Sequence, residues 1–342
     1  MTNIAVAVPL RDEQQGLPHL VAALRAQAAG GWSRIRVHLL FDGLDPAEAP
    51  TVARLTADPS PDEPVSFAVH VVARRAEPSA GRARRKAVAL ALADASAPDL
   101  VLTTDGDTVP ASDWVSSAVA ALGEVDCVAG HVARDDAVPL PARDALEAYL
   151  EELHRMRRNI DPIEWDPAPS HPWVGAANLA LRACAYRSLG GFSAVASGED
   201  RALVDLARRR GMKVRQSREV RVTTSSRLEG RIEGGLASAL AHMARERTEP
   251  VVEHPADAAR QYARHAWARR LRDRPGKRPD WHGLARELRS DADGLRELAA
   301  RLPNGEAFAM CAVPIFPTER SLPLSEAARV LCDLDAGAFR LG

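Results

Sequence analysis

Short apolar runs alternate with segments of helical spacing through the first half of the chain. Ile4 to Val8 is apolar and ends at Pro9, and Ile35, Val37, Leu39 and Phe41 alternate before Asp42-Gly43 closes a second run. Phe67 to Ala73 predicts a third strand, Val101 to Thr104 a fourth and Cys127 to Val132 a fifth. Between them, Leu17, Leu20, Val21 and Leu24 recur at helical spacing behind Pro18. Gly81 to Ala95 predicts a helix, basic at its start and Ala-rich afterwards. Ser112 is the expected cap of a helix with Val115, Ala118, Val119 and Leu122 on its apolar face. Pro46 to Pro64 is rich in Pro and Asp and predicts an irregular helix and loop.

Strands alternating with helices imply an α/β fold, with parallel pairing and helices on both faces of the sheet. Such sheets gather ligand groups at their carboxyl edge. Three polar strand ends should therefore meet there: Pro9 to Glu13, Asp42 to Asp45, and Asp105 to Asp107. No Gly-x-Gly-x-x-Gly follows the first strand, which argues against a dinucleotide site of the hydride-transfer kind.

In the second half, Leu146, Tyr149, Leu150 and Leu153 mark a helix running to about Asn159. Pro, Asp and Trp then dominate Asp161 to Trp173, a long loop of the sort that often binds or covers ligands. A further helix near Arg182 to Leu189 stops at Gly190-Gly191. Beyond Leu240 the chain becomes Arg/Ala/Leu-rich and helical, with breaks near Arg274-Pro275-Gly276 and Pro303-Asn304-Gly305. The expected division is residues 1–240 as a catalytic domain and 241–342 as a helical extension.

The chain has 342 residues and a formal net charge of -1, so bulk charge favours neither nucleic acid nor an anionic membrane. The charge is uneven. Asp42 to Glu63 holds six acids and one Arg, Arg74 to Lys86 six bases and one acid, and Asp200 to Arg231 ten bases and four acids. Basic clusters near an acidic site suit a polyanionic ligand such as a diphosphate, although many of these arginines would simply solvate helix faces. Cys127, Cys184, Cys311 and Cys332 lie far apart, which suggests neither a disulfide framework nor a zinc site. Met1 to Pro9 does not look like a signal peptide, and no apolar stretch is long enough to span a bilayer. A soluble, cytoplasmic protein is expected.

The chemistry centres on Asp105-Gly106-Asp107 at the end of the fourth strand. Two carboxylates so close repel one another unless a cation lies between them. Hard oxygen ligands of this kind suit Mg²⁺ or Mn²⁺, which take one or two carboxylates plus substrate phosphates. A plain polar turn is the competing reading.

Around that turn, further pieces occur in a characteristic order: Val8-Pro9-Leu10-Arg11-Asp12-Glu13, Phe41-Asp42-Gly43-Leu44-Asp45, Gly81-Arg82-Ala83-Arg84-Arg85-Lys86, Gly190-Gly191-Phe192 and Gly198-Glu199-Asp200. Residues 3–232 thereby resemble the inverting family-two glycosyltransferases. The resemblance implies a GT-A-like Rossmann-type sandwich with a mostly parallel central sheet. It implies a nucleotide-sugar donor, a divalent metal and an acceptor that is a small molecule, lipid or glycan. On it, Pro9, Arg11, Glu13, Asp42, Arg82, Lys86, Asp105, Gly106 and Asp107 would bind the donor, with Asp105 and Asp107 at the metal. Asp200 would be the base that deprotonates the acceptor hydroxyl, and Trp173, Gly175, Asn178 and Glu199 would face the acceptor or the transferred sugar. Acids are also favoured at a helix N-terminus, which gives Asp200 a capping role as its alternative.

One departure from the family pattern stands out. Where many members place a His after the next strand, this chain has Thr224-Ser225-Ser226-Arg227-Leu228-Glu229-Gly230-Arg231. Arg227 or Arg231 is expected to hold the diphosphate instead, since a guanidinium binds two phosphate oxygens at once. His171 and His242 are the nearest histidines, and neither stands at the matching position. Competing readings are a non-catalytic nucleotide-sugar-binding protein, a sugar nucleotidyltransferase and a haloacid-dehalogenase-like phosphatase with Asp105 as nucleophile. That phosphatase loop normally follows a first strand, not a fourth, and the nucleotidyltransferase would want glycines after the first strand.

Overall fold

A computed structural model describes residues 2–13, 15–27, 34–57, 63–77, 79–94, 97–135, 139–226, 249–274, 276, 279–316, 320–334 and 339. Two compact units emerge. The first comprises residues 1–139, 173–204 and 214–241, and the second residues 140–172, 205–213 and 242–342. Residues 140–172 and 205–213 thus group with the C-terminal residues, so the units interleave along the chain where the sequence suggested one cut after residue 240.

The first unit is built on an eight-stranded sheet with α-helices, the α/β class expected. Its elements are β1 (Asn3–Leu10), α1 (Leu17–Arg25), β2 (Arg34–Asp42), α2 (Ala49–Thr56), β3 (Val65–Val72), α3 (Ala80–Leu92), β4 (Leu100–Thr103), β5 (Thr108–Pro110), α4 (Trp114–Leu122) and β6 (Cys127–Arg134). Later come β7 (Leu179–Arg182), α6 (Ala183–Leu189), the start of α7 (Glu199–Arg209) and β8 (Val214–Thr224). The order across the sheet is β3-β2-β1-β4-β7-β6-β8-β5. Pairing is parallel from β3 through β4 and again between β6 and β8, while β7 runs against both its neighbours and β5 against β8. The sheet is therefore mostly parallel, but mixed.

Burial explains the hydrophobic pattern. β1 lies between β2 and β4, is covered on both faces, and reads as a continuous apolar run. β3 is an edge strand and alternates, leaving Val69 at 40% and Val71 at 55% exposure. Strands β5 and β7 escaped sequence reading because they are three and four residues long, too short for a periodicity to register. Leu179 to Leu181 is buried and leads straight into α6, so strand and helix merge in the sequence. The helix after Ser112 is also capped differently. Asp113 occupies the N-cap position, with no side-chain cap bond.

Local signals place the helices. Pro18 sits in the first turn of α1, whose Leu17, Leu20, Val21 and Leu24 are buried as the spacing predicts. Ser79 caps α3 by accepting the Arg82 N–H at 3.3 Å. α6 ends at Gly190 in the left-handed conformation, φ 81°. At Gly81 the helix meets the 193–195 segment so closely that a Cβ would lie 2.2 Å from the Ser193 carbonyl oxygen.

Two buried polar contacts tie the sheet together. Asn178, 1% exposed, donates to the carbonyls of His131 and Val220 at 2.9 Å each and accepts from Trp114 Nε1 at 2.8 Å. It thereby joins β6, β8 and α4. On β2, His38 lies 3.2 Å through Nδ1 from Nε2 of His70 on β3, while its Nε2 lies 3.7 Å from Asp94. Burial lowers the His38 pKa to about 4, a fall that Asp94 opposes and that His70 and Arg36 reinforce.

The second unit is helical, with one small antiparallel pair of strands. It contains α5 (Pro141–Ile160), β9 (Val251–Glu253), α8 (Pro255–Asp273), α9 (Trp281–Leu288), α10 (Ala292–Arg301), α11 (Gly305–Ala312), β10 (Ser321–Pro323) and α12 (Leu324–Asp333). One core gathers Leu271, Leu284, Leu288, Leu295 and Phe308, and another Tyr149, Met156, Ile160, Leu324 and Leu331. Arg269 is buried and bridges Asp161 to Glu306. Among the described residues, no helix is long and apolar enough to cross a membrane.

Two outcomes follow for stability. Asn178→Ala should cost about 2–4 kcal/mol, because buried donors and acceptors left without partners cost ~1–3 kcal/mol each. The urea midpoint measures this, and an unchanged midpoint would contradict the role assigned to Asn178. His38 is held neutral, its folded pKa lying below the unfolded value. Its contribution is therefore complete above the unfolded pKa and is lost as pH falls from about 6.5 toward 4. The urea midpoint should fall between pH 6.5 and 5, and His38→Leu should flatten that slope. An equal slope in the variant would show that other groups set it.

Candidate functional site

The strand order places the carboxyl ends of β2, β1 and β4 side by side. Asp42, Pro9 to Glu13 and the Asp105–Asp107 turn therefore share one edge of the sheet, as the alternation of elements predicted. Gly106 is buried in that turn. A Cβ there would lie 2.4 Å from Leu10 Cδ2 and 2.8 Å from Glu13 Cβ, so glycine lets the end of β1 close against the turn. The backbone carbonyl of Glu13 accepts from Gly16 and Leu17 at 3.1 Å each and so starts α1. Pro9 is half-buried beside Leu40 of β2.

Asp107 opens β5. Its Oδ1 lies 3.4 Å from the hydroxyls of Thr108 and Thr224, and its backbone carbonyl accepts from the Ser225 N–H at 3.3 Å. The carboxylate is half-buried. Asp105 is engaged differently. Arg84 Nη2 donates to both its oxygens, at 2.6 and 2.9 Å, while Arg84 Nη1 donates to Glu199. Burial alone would lower the Arg84 pKa. The charges of Asp105, Glu199 and Asp200 outweigh it and raise that pKa well above the usual value. Glu199 is 2% exposed, and burial pushes its carboxyl up while Arg84 pulls it down, with a net rise.

The sequence pointed to Arg82 and Lys86 as the cations of this segment, and both stand exposed on α3. Arg84 was missed. The signal was available in the helical spacing, since Gly81, Arg84, Val88 and Ala91 share one face and the other three are buried. Asp42 is likewise occupied by a cation. Its Oδ2 accepts from Arg11 Nη1 at 2.7 Å and its Oδ1 from the Arg75 N–H at 3.2 Å. Arg74 binds Asp12 through both oxygens at 2.6 and 2.7 Å, on the surface. That exposed pair contributes little to stability.

Asp200 stands in the first turn of α7. Its Oδ2 accepts the Ala176 N–H at 3.1 Å and its Oδ1 the Arg201 N–H at 2.7 Å. Ala176 begins the short 3-10 turn Ala176–Asn178, and its carbonyl accepts from Thr103 Oγ1 at 2.6 Å. The end of β4, the 176–178 turn and Asp200 are thus linked in series. Gly175, which precedes this turn, is half-buried. Trp173 is half-buried too, with its ring edge-on to His131 at 5.8 Å. Asn178 departs from its expected place at the acceptor. Both Nδ2 protons and Oδ1 are engaged by His131, Val220 and Trp114, so it is a structural group.

Arg227 and Arg231 lie outside the described residues, as does His242. His171 is fully buried and belongs to the second unit. Among the described residues, no group of three or more His, Cys, Asp or Glu is placed to hold a metal ion. The oxygen chemistry of Asp107 nevertheless fits Mg²⁺ or Mn²⁺, because these ions need only one or two carboxylates when substrate phosphates supply the rest.

S. aureus TarS residues 1–349 with UDP is similar at 15% identity and TM-score 0.47, covering 99% of this chain and 89% of that one. The same segment with UDP-GlcNAc gives 15% identity and TM-score 0.46, covering 77% of this chain and 66% of that chain. The mannosyltransferase PcManGT from Pyrobaculum calidifontis, with GDP-Man and Mn²⁺, gives 17% identity and TM-score 0.46, covering 98% and 86%. No curated protein matches the chain. Residues 5–172, which hold Pro9 to Glu13, Asp42, Arg84 and the Asp105–Asp107 turn, match the model described as glycosyl transferase family 2. Residues 5–172 of the chain are thus similar to glycosyl transferase family 2.

Proposed function

We propose that this chain transfers a sugar from a nucleotide-diphosphate donor to an acceptor hydroxyl, with inversion at the sugar carbon. The observation that carries this reading is the meeting of the Asp105–Asp107 turn with Glu199-Asp200 through Arg84, at the carboxyl edge of the sheet. The family match over residues 5–172 supports it. Donor contacts are assigned to Pro9, Arg11, Glu13 and Asp42 at the ends of β1 and β2, and to Arg82 and Lys86 on α3. Asp42 would accept from a base N–H, exchanging Arg11 for the nucleotide. Gly106 keeps the turn narrow enough for the ends of β1 and β4 to close on each other.

Asp107 is the residue assigned to a divalent cation, which supplies neutralisation of charge on the departing diphosphate. Asp200 is assigned as general base. Its two backbone N–H partners orient the carboxylate, and each oxygen keeps a lone pair to accept the acceptor proton. Trp173 and Gly175 precede the turn that holds Asp200 and are assigned to the acceptor side, where an indole can stack on a sugar ring. The phosphatase reading has less support. It needs Asp105 as a nucleophile, and both Asp105 oxygens are bound to Arg84.

UDP- and GDP-sugars, the donor types named for the TarS and PcManGT structures, are the first to assay, by donor hydrolysis with and without Mn²⁺. Asp107→Asn should abolish metal-dependent binding of the nucleoside diphosphate while leaving the melting temperature near wild type. Calorimetry in Mn²⁺ and in EDTA checks this, and retention of metal-dependent affinity would refute the metal role. Asp200→Asn should keep donor affinity near wild type and slow turnover by roughly 10²–10⁴-fold, the scale of general-base catalysis. Turnover within a few-fold of wild type would leave Asp200 as a helix cap.

A further inference from the structure

The eight-stranded sheet has two edges, and they are finished differently. β5 is three residues long and ends in Pro110, which has no N–H to donate to a ladder, so that edge offers little to another strand. β3 is eight residues long and reads Val-Ser-Phe-Ala-Val-His-Val-Val, with no proline and no Lys, Arg, Asp or Glu. Its register against β2 is unbroken from Val65 to Val72, so no bulge bends it away. Charge, proline and bulges are the usual means by which an edge strand is kept from pairing. β3 carries none of them.

Two hydrogen bonds fix the direction of its backbone. The Pro64 carbonyl accepts from the Ile35 N–H at 2.7 Å and the Val72 carbonyl from the Gly43 N–H at 3.1 Å, both across to the β2 side. Even-numbered residues therefore turn their backbone groups to β2, and Val65, Phe67, Val69 and Val71 turn theirs outward. The side chains of these four share one face. The amino half of that face is covered. Val65 and Phe67 are 2% and 7% exposed, and Arg25 of α1 lies over the Phe67 ring at 5.0 Å. The carboxyl half is open at Val69 and Val71.

We propose that the edge of β3 pairs antiparallel with β3 of a second copy of this chain, joining the two sheets into one. A strand covered at one end and open at the other complements itself when reversed. In the register that sets Val65 opposite the partner's Val71, Phe67 falls opposite the partner's Val69. The open half of each copy then lies beside the covered half of the other. These are aromatic and β-branched cross-strand pairs, which stabilise antiparallel ladders. On the other face Ser66 falls opposite the partner's His70 and Ala68 opposite the partner's Ala68, so no like charges meet. The flanks match as well. Asp62-Glu63 precedes the strand and Arg74-Arg75 follows it, and reversal brings the acidic end of each copy to the basic end of the other. Glu63 already binds Arg25, and Arg74 binds Asp12, so the match is one of local field and steers the register. A two-fold contact of this kind occupies the edge and closes at two copies. Because the strands run oppositely, the two carboxyl edges point apart, and neither proposed donor site faces the other.

Sedimentation velocity of the whole chain at about 1–300 µM tests this, a range that spans the affinities of small interfaces. A reversible monomer–dimer equilibrium is expected. Val71→Lys places a charge on the open half and should weaken dimerisation by about 10-fold or more. Its melting temperature should stay near wild type, since Val71 is exposed. Ala68→Cys reports the register. Ala68 would lie on the two-fold axis in a non-hydrogen-bonded pair, where Cα atoms are about 4.5 Å apart and a disulfide forms without strain. Ser66→Cys is the control, because Ser66 and its copy would stand roughly 13 Å apart along the strand. Mild oxidation should link two copies through residue 68 and not through residue 66, as read by peptide mass. Wild-type protein that stays monomeric across the range overturns the proposal and leaves the β3 edge to some other strand. A dimer that Val71→Lys does not weaken, or one that links at residue 66 as readily as at residue 68, overturns it too, because the interface then lies elsewhere or in another register.

Discussion

The buried ion pairs of Arg84 set the terms for everything at the carboxyl edge of the sheet. A guanidinium between Asp105 and Glu199 offsets the repulsion that two acidic motifs would otherwise impose on each other. Without it, Glu199 at 2% exposure would carry an uncompensated charge, a condition that costs several kcal/mol. With it, the turn after β4 and the start of α7 are joined through α3, Arg84 and Glu199 lying 115 residues apart in sequence. Stability and chemistry share this contact.

The sheet supplies the platform. Parallel pairing of β2, β1 and β4 aligns their carboxyl ends and collects Asp42, the β1 end and the Asp105–Asp107 turn. Reversal of β7 then brings the 176–178 turn, which precedes it, to the same edge as the end of β4. Thr103 bonds the Ala176 carbonyl there, and Asp200 bonds the Ala176 N–H. An all-parallel sheet would have sent that turn to the opposite edge. The short antiparallel strand is thus what brings the assigned base within the site.

The second unit solves a different problem with similar chemistry. Its helices are rich in Arg and Ala, and alanine packing brings helix backbones close. Arginines that face inward must then be paired, as Arg269 is with Asp161 and Glu306, and Arg158 with Asp166. Composition alone marks these arginines as surface residues, and only the packing shows that they are buried.

The sequence by itself determined the α/β class, the long central strands, α1 and α3, the Gly190 stop and the gathering of three polar strand ends. Each of these depends on local propensity, on spacing, or on the parallel pairing that strand-helix alternation enforces. It also exposed Asp105, Asp107 and Asp200 as parts of an ordered set of motifs, of which Asp105 and Asp107 lie within the family match over residues 5–172. Tertiary structure decided the rest. Strands β5 and β7 are too short to carry a period, and exist because neighbours in space complete their ladders. Asn178 was legible as a polar residue in a turn of small residues, but its partners lie 42, 47 and 64 residues away. Arg84 was one base among six in a basic run, and what distinguishes it from Arg82 and Lys86 is the face of α3 it occupies and what that face meets. A residue type reports its chemistry, whereas its role depends on contacts between segments distant in sequence, which only the folded chain brings together.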